Sequence, residues 1–355
     1  MVITFRKIIK RVVIYIFGSL SILLLIGIVI GYYFSEKGYS GQISSHFDGS
    51  KFFNPNGKSG NGIKEVFKLI HSRKPTKWIE NYETFTRDTL INDNLTDSLR
   101  LVFVNHSTFL IQVDSVNILI DPIWSDRCSP IQWMGPKRNR PPGITFNSLP
   151  KIDVVLISHN HYDHLDKNTV LKLQQKFTPQ FIVPLGVSHF FRRLGIENVT
   201  EIDWNKNMNV NNLKITAMPA VHFSSRGLFD RDKTLWCGFM VEGSKTIYYA
   251  GDTAYDDTIF KTIGETFPNI DVAIIPIGAY KPNWFMAPIH TSPNEAVQIH
   301  LDIKSKKAIA THFGTFALAD EGQGEAGDDL RKALEYYKIP REQFLLPDEG
   351  VFYTY

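Results

Sequence analysis

Cysteine is nearly absent from this chain of 355 residues, which carries two, Cys128 and Cys237. Two cannot build a disulfide framework, and the pair reads as buried thiols, with a single bridge left open only in an oxidising compartment. Excess charge is scarce as well. The net charge is +3 and no basic stripe runs through the sequence, which argues against nucleic acid as a partner. Internal repeats and low-complexity tracts are missing. The length admits one large domain plus appendages.

What is present begins with a long apolar run. Residues 12–34 carry no charge and are numerous enough to cross a bilayer as a helix. Arg6, Lys7, Lys10 and Arg11 precede the run, while Glu36 and Lys37 roughly cancel after it. The excess of positive charge on the N-terminal side predicts a single-pass anchor over residues 1–35, its N-terminus in the cytoplasm and the remainder outside. A cleaved signal peptide is disfavoured because bulky Tyr32-Tyr33-Phe34 stands where small residues would precede a cleavage site. Residues 36–77 form a linker or N-terminal arm, rich in Gly, Ser, Asn and Lys up to Gly62, with Phe52-Phe53 and residues 66–70 expected to dock it onto the body. Residues 78–355 make the main domain. Strand patterns at 101–104, 109–113 and 116–120 are followed by helical stretches at 167–177, 255–266, 293–301 and 330–337, a sequence of elements that fits sheets covered by helices.

The chemistry lies in Ser158-His159-Asn160-His161-Tyr162-Asp163-His164-Leu165-Asp166, directly after the apolar run 154–157. H-x-H-x-D-H packs four ligand-type side chains together, and imidazole and carboxylate donors suit Zn²⁺, Fe or Mn. Adjacent Asp163 and His164 do not readily close on the same ion as His159 and His161, so two neighbouring metals are expected. Three further candidates each follow a strand-like run: His222 after 213–218, Asp252 after 246–250 and Gly251, and His312 after 308–311. A lone histidine after a strand is more often a hydrogen-bonded structural residue. Beside the motif, however, these three complete the ligand count of two four-coordinate sites. His46, His71, His189 and His300 have no partner motif and receive no role.

The run of H-x-H-x-D-H, His, Gly-Asp and His resembles the metallo-β-lactamase superfamily, whose fold is a four-layered αββα sandwich. The likeness is closer to its branch of N-acylphosphatidylethanolamine-hydrolysing phospholipases D. Asn105-His106-Ser107-Thr108-Phe109-Leu110, Asp121-Pro122-Ile123-Trp124-Ser125-Asp126-Arg127-Cys128-Ser129-Pro130, Gly135-Pro136-Lys137-Arg138, Ile275-Pro276-Ile277-Gly278-Ala279-Tyr280, Trp284-Phe285-Met286 and His312-Phe313-Gly314-Thr315-Phe316-Ala317-Leu318-Ala319 carry it. The resemblance implies that His159, His161 and His222 hold one Zn²⁺ and Asp163, His164 and His312 a second, with Asp252 bridging. It further implies that Tyr162 and His290 contact the substrate head group. Asp121 is expected to orient a metal-bound imidazole, with a turn aspartate before Pro122 as the alternative, and His106 could line the same site. The implied reaction is metal-hydroxide attack on the phosphorus of a membrane N-acylphosphatidylethanolamine, yielding N-acylethanolamine and phosphatidic acid. The animal enzymes lack the N-terminal span, so the anchor is a departure from the branch.

Other readings keep the metals and change the substrate to a lactone, a cyclic phosphate or another phosphodiester, because fold does not fix substrate. Tyr280, Trp284, Phe285 and Met286 could be core or could dip into a lipid interface. Lys137, Arg138 and Arg140 could pair with lipid phosphates or form a solvated turn. A homodimer stays open.

Overall fold

The computed structural model describes residues 2–57, 60–78 and 98–355. Residues 79–97, next to the expected start of the main domain, and residues 58–59 of the arm lie outside the described residues. Helix α1 (Val2–Phe34) is followed by α2 (Ile63–Ser72). The first sheet comprises β1 (Arg100–Asn105), β2 (Thr108–Val113), β3 (Val116–Ile120), β4 (Val154–Leu156), β5 (Gln180–Pro184) and β6 (Val199–Ile202), closed by the C-terminal β14 (Phe352–Thr354). Helices α3 (Lys167–Phe177) and α4 (Ser188–Arg193) lie between its strands in sequence. The second sheet contains β7 (Asn207–Val210), β8 (Leu213–Met218), β9 (Gly238–Glu242), β10 (Thr246–Tyr249), β11 (Val272–Pro276), β12 (Lys307–Thr311) and β13 (Phe344–Leu345). Interleaved with these are α5 (Asp257–Thr266), the short α6 (Asn283–Met286), α7 (Pro293–Asp302) and α8 (Glu325–Tyr337).

The strands alternate between two cores. On β1, Leu101 and Phe103 face the layer between the sheets, while Val102 and Val104 face the helices outside. On β3, Val116, Ile118 and Ile120 point inward and Leu119 outward. Burial on both faces explains why these strands read as continuous apolar runs. Asp114 and Ser115, both at positive φ, form the two-residue turn that pairs Val113 with Val116. In the outer layer, α3 is capped by the Asp166 carboxylate, which accepts from Asn168 N, and buries Val170 and Leu173. Over the second sheet, α7 starts at a reciprocal cap between Ser292 and Glu295. Helix, sheet, sheet and helix give the expected four layers.

Each sheet repeats one pattern: three antiparallel pairings and then three parallel ones, from β14 to β6 in the first and from β7 to β13 in the second. The loops after β3, β4, β8, β10, β11 and β12 bring their ligand-type residues together at one edge of the sandwich, described below. The arm is tied down at several points. Phe47 and Phe52 enter the main core, and Glu36 N donates to Asp230 Oδ2 at 2.8 Å. Residues 66–70 behave otherwise than expected. In α2, Val66, Phe67 and Ile70 are 38%, 59% and 62% exposed, and the helix meets the loop after β11 through Lys68, whose Nζ lies over the Trp284 ring. Along α1, residues Lys10–Phe34 are long and apolar enough to cross a membrane, a test that a signal sequence also passes.

Candidate metal centre

The loop after β4 closes into a compact turn, with His164 N and Leu165 N both donating to His161 O. Opposite it, Gly251 sits at φ +66°, where a Cβ would meet the Cys237 carbonyl, so only glycine brings Asp252 this close. Gly278 packs directly on the backbone carbonyl of His312. Four non-glycine residues at this edge, His106, Asp121, Ala279 and His312, hold φ of +46°, +41°, +58° and +60°. Such strain persists where surrounding contacts over-determine the backbone.

Two clusters result. His159 Nε2 and His222 Nε2 lie 2.8 Å and 3.3 Å from His161 Nδ1. Beside them, His164 Nε2 and His312 Nε2 stand 3.2 Å and 3.0 Å from Asp252 Oδ2, and 3.5 Å and 3.4 Å from Asp163 Oδ2. Asp252 Oδ2 is also 3.9 Å from His159 Nε2 and 3.8 Å from His222 Nε2, between the two groups. All seven side chains expected as ligands therefore converge. Despite these distances, His164 Nε2, His312 Nε2 and Asp252 Oδ1 are buried without a hydrogen-bond partner. Burying polar atoms without partners is costly, and ring nitrogens and carboxylate oxygens converging on one small space suit a cation. The donor set fits metal ions.

Outer contacts fix which nitrogen faces inward. His164 Nδ1 donates to Asp121 Oδ2 at 2.7 Å, and His222 Nδ1 donates to the Ile289 carbonyl at 2.8 Å. Each leaves Nε2 facing the cluster, where it could serve a metal. Asp121 is itself held by Ser158 N at 2.7 Å, Ser158 Oγ at 2.6 Å and Tyr249 Oη at 2.6 Å. Asp121 therefore contacts the His164 imidazole directly, as well as preceding Pro122 at a turn of positive φ. His106 Nε2 lies 3.0 Å from Asp163 Oδ2 and braces that carboxylate.

The electrostatics divide the same way. Burial, reinforced by neighbouring imidazoles, holds His159 well below its ordinary pKa, and burial takes His161 down to about 4 and His222 well below 6.5. These three are neutral, as ligands must be. At His164, burial opposes the charged form, but Asp252, Asp163 and Asp121 overcome it and hold the pKa well above 6.5. Asp252 and Asp163 likewise outweigh burial to push His312 up to about 9. The negative charge that keeps protons on these two rings is the charge that attracts a divalent cation.

The two residues expected to touch substrate are placed differently. His290 packs on His222 and His312, with ring centroids 5.1 Å and 5.4 Å away, and burial lowers its pKa to about 3. A ring nitrogen of His290 lies within 4.8 Å of ligand atoms of His222 and Asp252. Tyr162 turns to the outer side of the ligand loop, where its hydroxyl donates to Arg226 O at 3.0 Å. Arg138 and Arg140, candidates for lipid phosphates, serve the fold. Arg138 donates to the carbonyls of Ser125 and Ile123, and Arg140 pairs with Glu349 at 2.8 Å. Both cysteines are free and buried.

Sequence reasoning missed Arg226. Its guanidinium is buried, donates to Asn160 O at 2.7 Å and Leu165 O at 2.9 Å, and stacks 3.9 Å from the Tyr162 ring. It thereby clamps both ends of the ligand loop. The arginine four residues after His222 was the available signal, but its partners lie more than sixty positions away.

Comparison with known proteins agrees with this geometry. A family model described as a beta-lactamase superfamily domain matches residues 116–313. The N-acyl-phosphatidylethanolamine-hydrolyzing phospholipase D 1 of Caenorhabditis elegans is 34% identical over 301 residues, 79% of this chain and 81% of that one. A mitochondrial phospholipase D of the same description from Saccharomyces cerevisiae is 35% identical over 230 residues, 63% of this chain and 49% of the yeast protein. Among solved structures, a metallo hydrolase from the archaeon Ignicoccus hospitalis shares the fold with a TM-score of 0.56 at 20% identity, covering 73% of this chain and 98% of that one. The chain has the metallo-β-lactamase fold and belongs to the family of N-acylphosphatidylethanolamine-hydrolysing phospholipases D.

Proposed function

We propose that this protein is a membrane-anchored dinuclear zinc phosphodiesterase that hydrolyses N-acylphosphatidylethanolamine, or a related glycerophospholipid, to N-acylethanolamine and phosphatidic acid. The observation that carries the reading is the pair of His/Asp clusters sharing Asp252, with unpartnered Nε2 atoms on His164 and His312. The names of the worm and yeast relatives support the lipid.

His159, His161 and His222 would hold one ion, and Asp163, His164 and His312 the other, with Asp252 between them. When bound, such ions supply a water that ionises near neutral pH and neutralise charge developing on a phosphoryl oxygen. The protein's own groups do the rest. Asp121 and the Ile289 carbonyl hold two imidazoles in the ligating tautomer, and His106 steadies Asp163. His290 is neutral and its Nδ1 is buried without a partner, so it is available to donate to a phosphoryl oxygen. In the reaction, the oxygen of water ends on phosphorus and the bond from phosphorus to the ethanolamine oxygen breaks. Helix α1 would span the bilayer, its N-terminus on the cytoplasmic side because Arg6, Lys7, Lys10 and Arg11 lie there.

The test presents purified protein with a panel of glycerophospholipids, a soluble aryl phosphodiester and a lactone, with metal counted by elemental analysis. Close to two Zn per chain and phosphatidic acid from N-acylphosphatidylethanolamine are expected. Faster opening of the lactone would replace the lipid assignment, and a metal content of zero in folded protein would end it.

A further inference from the structure

We propose that α2 and the loops around the metal edge form a membrane-docking face that lies on an anionic bilayer. This deepens the reading above and rests on it in one respect, that α1 crosses the same bilayer.

The face is defined by side chains that have no reason to be exposed in water. Val66, Phe67 and Ile70 occupy one stripe of α2 and are 38%, 59% and 62% exposed. The helix and the residues just after it, 64–77, carry Lys64, Lys68, Lys74 and Lys77 against one acidic residue, Glu65, while Arg73 pairs with Asp320 at 3.0 Å. An apolar stripe flanked by cations is the pattern of a helix lying in the plane of a lipid interface, and the cations select an anionic surface.

The loops beneath continue the face. Trp133 and Met134, after β3, are 76% and 56% exposed, and Leu228 and Phe229, after β8, are 69% and 45% exposed. Trp284, after β11, is 40% exposed and lies under Lys68 Nζ, 4.3 Å from the ring centroid. These loops leave the same edge of the sandwich that bears the metal ligands. Clusters of exposed aromatic and aliphatic residues on a soluble surface mark a site of interaction.

Two contacts join this face to the anchor. A Cβ on Gly31, in the last turn of α1, would collide with the Leu228 side chain, and Phe229 N donates to Ser35 Oγ at 3.0 Å. At the far end of the same loop, Arg231 reaches Gly60, just ahead of α2. The anchor therefore meets the body at the metal edge and not at the opposite one. Bilayer continuity at α1, cationic flanks on α2 and apolar tips between them select a lipid surface as the occupant. A docked edge would let a phospholipid reach the metals without crossing water.

The experiment uses the full chain, one copy per nanodisc of phosphatidylcholine and phosphatidylglycerol. A polarity-sensitive fluorophore is placed at Phe67→Cys, Tyr15→Cys or Tyr336→Cys in turn; the native thiols, Cys128 and Cys237, are buried. Tyr336 is 76% exposed, near the end of α8. Docking predicts a blue-shifted label at 67 that is quenched by lipid-borne nitroxides, as at 15, with the label at 336 remaining in water. A label at 67 that behaves like the one at 336 overturns the docking face whether or not 15 is quenched. Water at 15 overturns the anchor and leaves the docking face to be judged at 67 alone. Neither readout needs turnover, so the substrate assignment is judged separately. Phe67→Glu with Ile70→Glu should raise the apparent KM for lipid in vesicles about tenfold or more, a loss equivalent to burying one large apolar side chain. The same change should leave kcat/KM for a soluble aryl phosphodiester unaltered, and an unchanged KM in vesicles would contradict the proposal.

Discussion

Asp121→Asn removes one charge and changes almost nothing else in shape, and its consequences can be worked out atom by atom. Asp121 is fully buried and accepts four hydrogen bonds. Oδ1 takes Ser158 N, and Oδ2 takes Ser158 Oγ, Tyr249 Oη and His164 Nδ1. An asparagine has one oxygen for these two positions. The backbone N–H of Ser158 cannot rotate away, so the amide oxygen must occupy the Oδ1 position. The amide NH₂ then faces His164 Nδ1, and the two hydroxyls reorient. His164 must place its proton on Nε2, the atom aimed at Asp252 and the metal edge, and the ligand lone pair is lost. Backbone strain does not confuse the comparison, because asparagine tolerates the φ of +41° as well as aspartate does. Removing an outer partner of a ligating histidine typically weakens metal binding about 10- to 100-fold. Losing a charge-assisted hydrogen bond costs about 1.5–3 kcal/mol. Competition for Zn²⁺ against a calibrated chelator should show the weakening at one of two sites, with circular dichroism reporting a retained fold. Unchanged affinity at both sites would refute the claim that Asp121 sets the His164 tautomer.

Three other outcomes follow from the same contacts. His290→Ala should lower kcat/KM on the phospholipid roughly ten- to a hundredfold, about 1.5–3 kcal/mol in the barrier, with metal content unchanged; loss of metal would make His290 a ligand instead. Arg226→Ala abandons two buried carbonyls and should reduce stability by about 3 kcal/mol or more, with Arg226→Lys recovering part of it, measured by thermal unfolding. Burial lowers the pKa of His300 from 6.5 to about 4, so between these values the unfolded chain binds the proton and the folded one does not. Its stabilising contribution is present above pH 6.5 and is lost as pH falls toward 4, about 1.4 kcal/mol per unit. His300→Gln should flatten that limb of the stability profile, and an unaltered slope would contradict the assignment.

Most of the site was legible because its signal is local. H-x-H-x-D-H lies in one turn, and His222, Asp252 and His312 each sit just past a strand whose apolar pattern is readable. β2 and β3 were readable for the same reason, as neighbours joined by the Asp114-Ser115 turn. Contacts between distant residues were not. Arg140 looked free to meet a phosphate because its partner Glu349 is 209 positions away, and Tyr249 reaches Asp121 across 128 positions. Phe67 and Ile70 illustrate a different limit. An apolar stripe on a short helix has the same pattern whether it packs against a core or faces outward, and only the three-dimensional structure separates the two. The repetition of one strand pattern in both sheets left no trace in the sequence, since each half is specified by burial and not by residue identity.

The central claim is hydrolysis at phosphorus by residues gathered around metal ions. The most direct measurement incubates zinc-loaded protein with N-acylphosphatidylethanolamine in ¹⁸O-water and follows the label by mass spectrometry. The account predicts one ¹⁸O in phosphatidic acid, none in N-acylethanolamine, loss of turnover on chelation and its return with Zn²⁺. Label in N-acylethanolamine, or turnover that survives complete removal of metal, would contradict it.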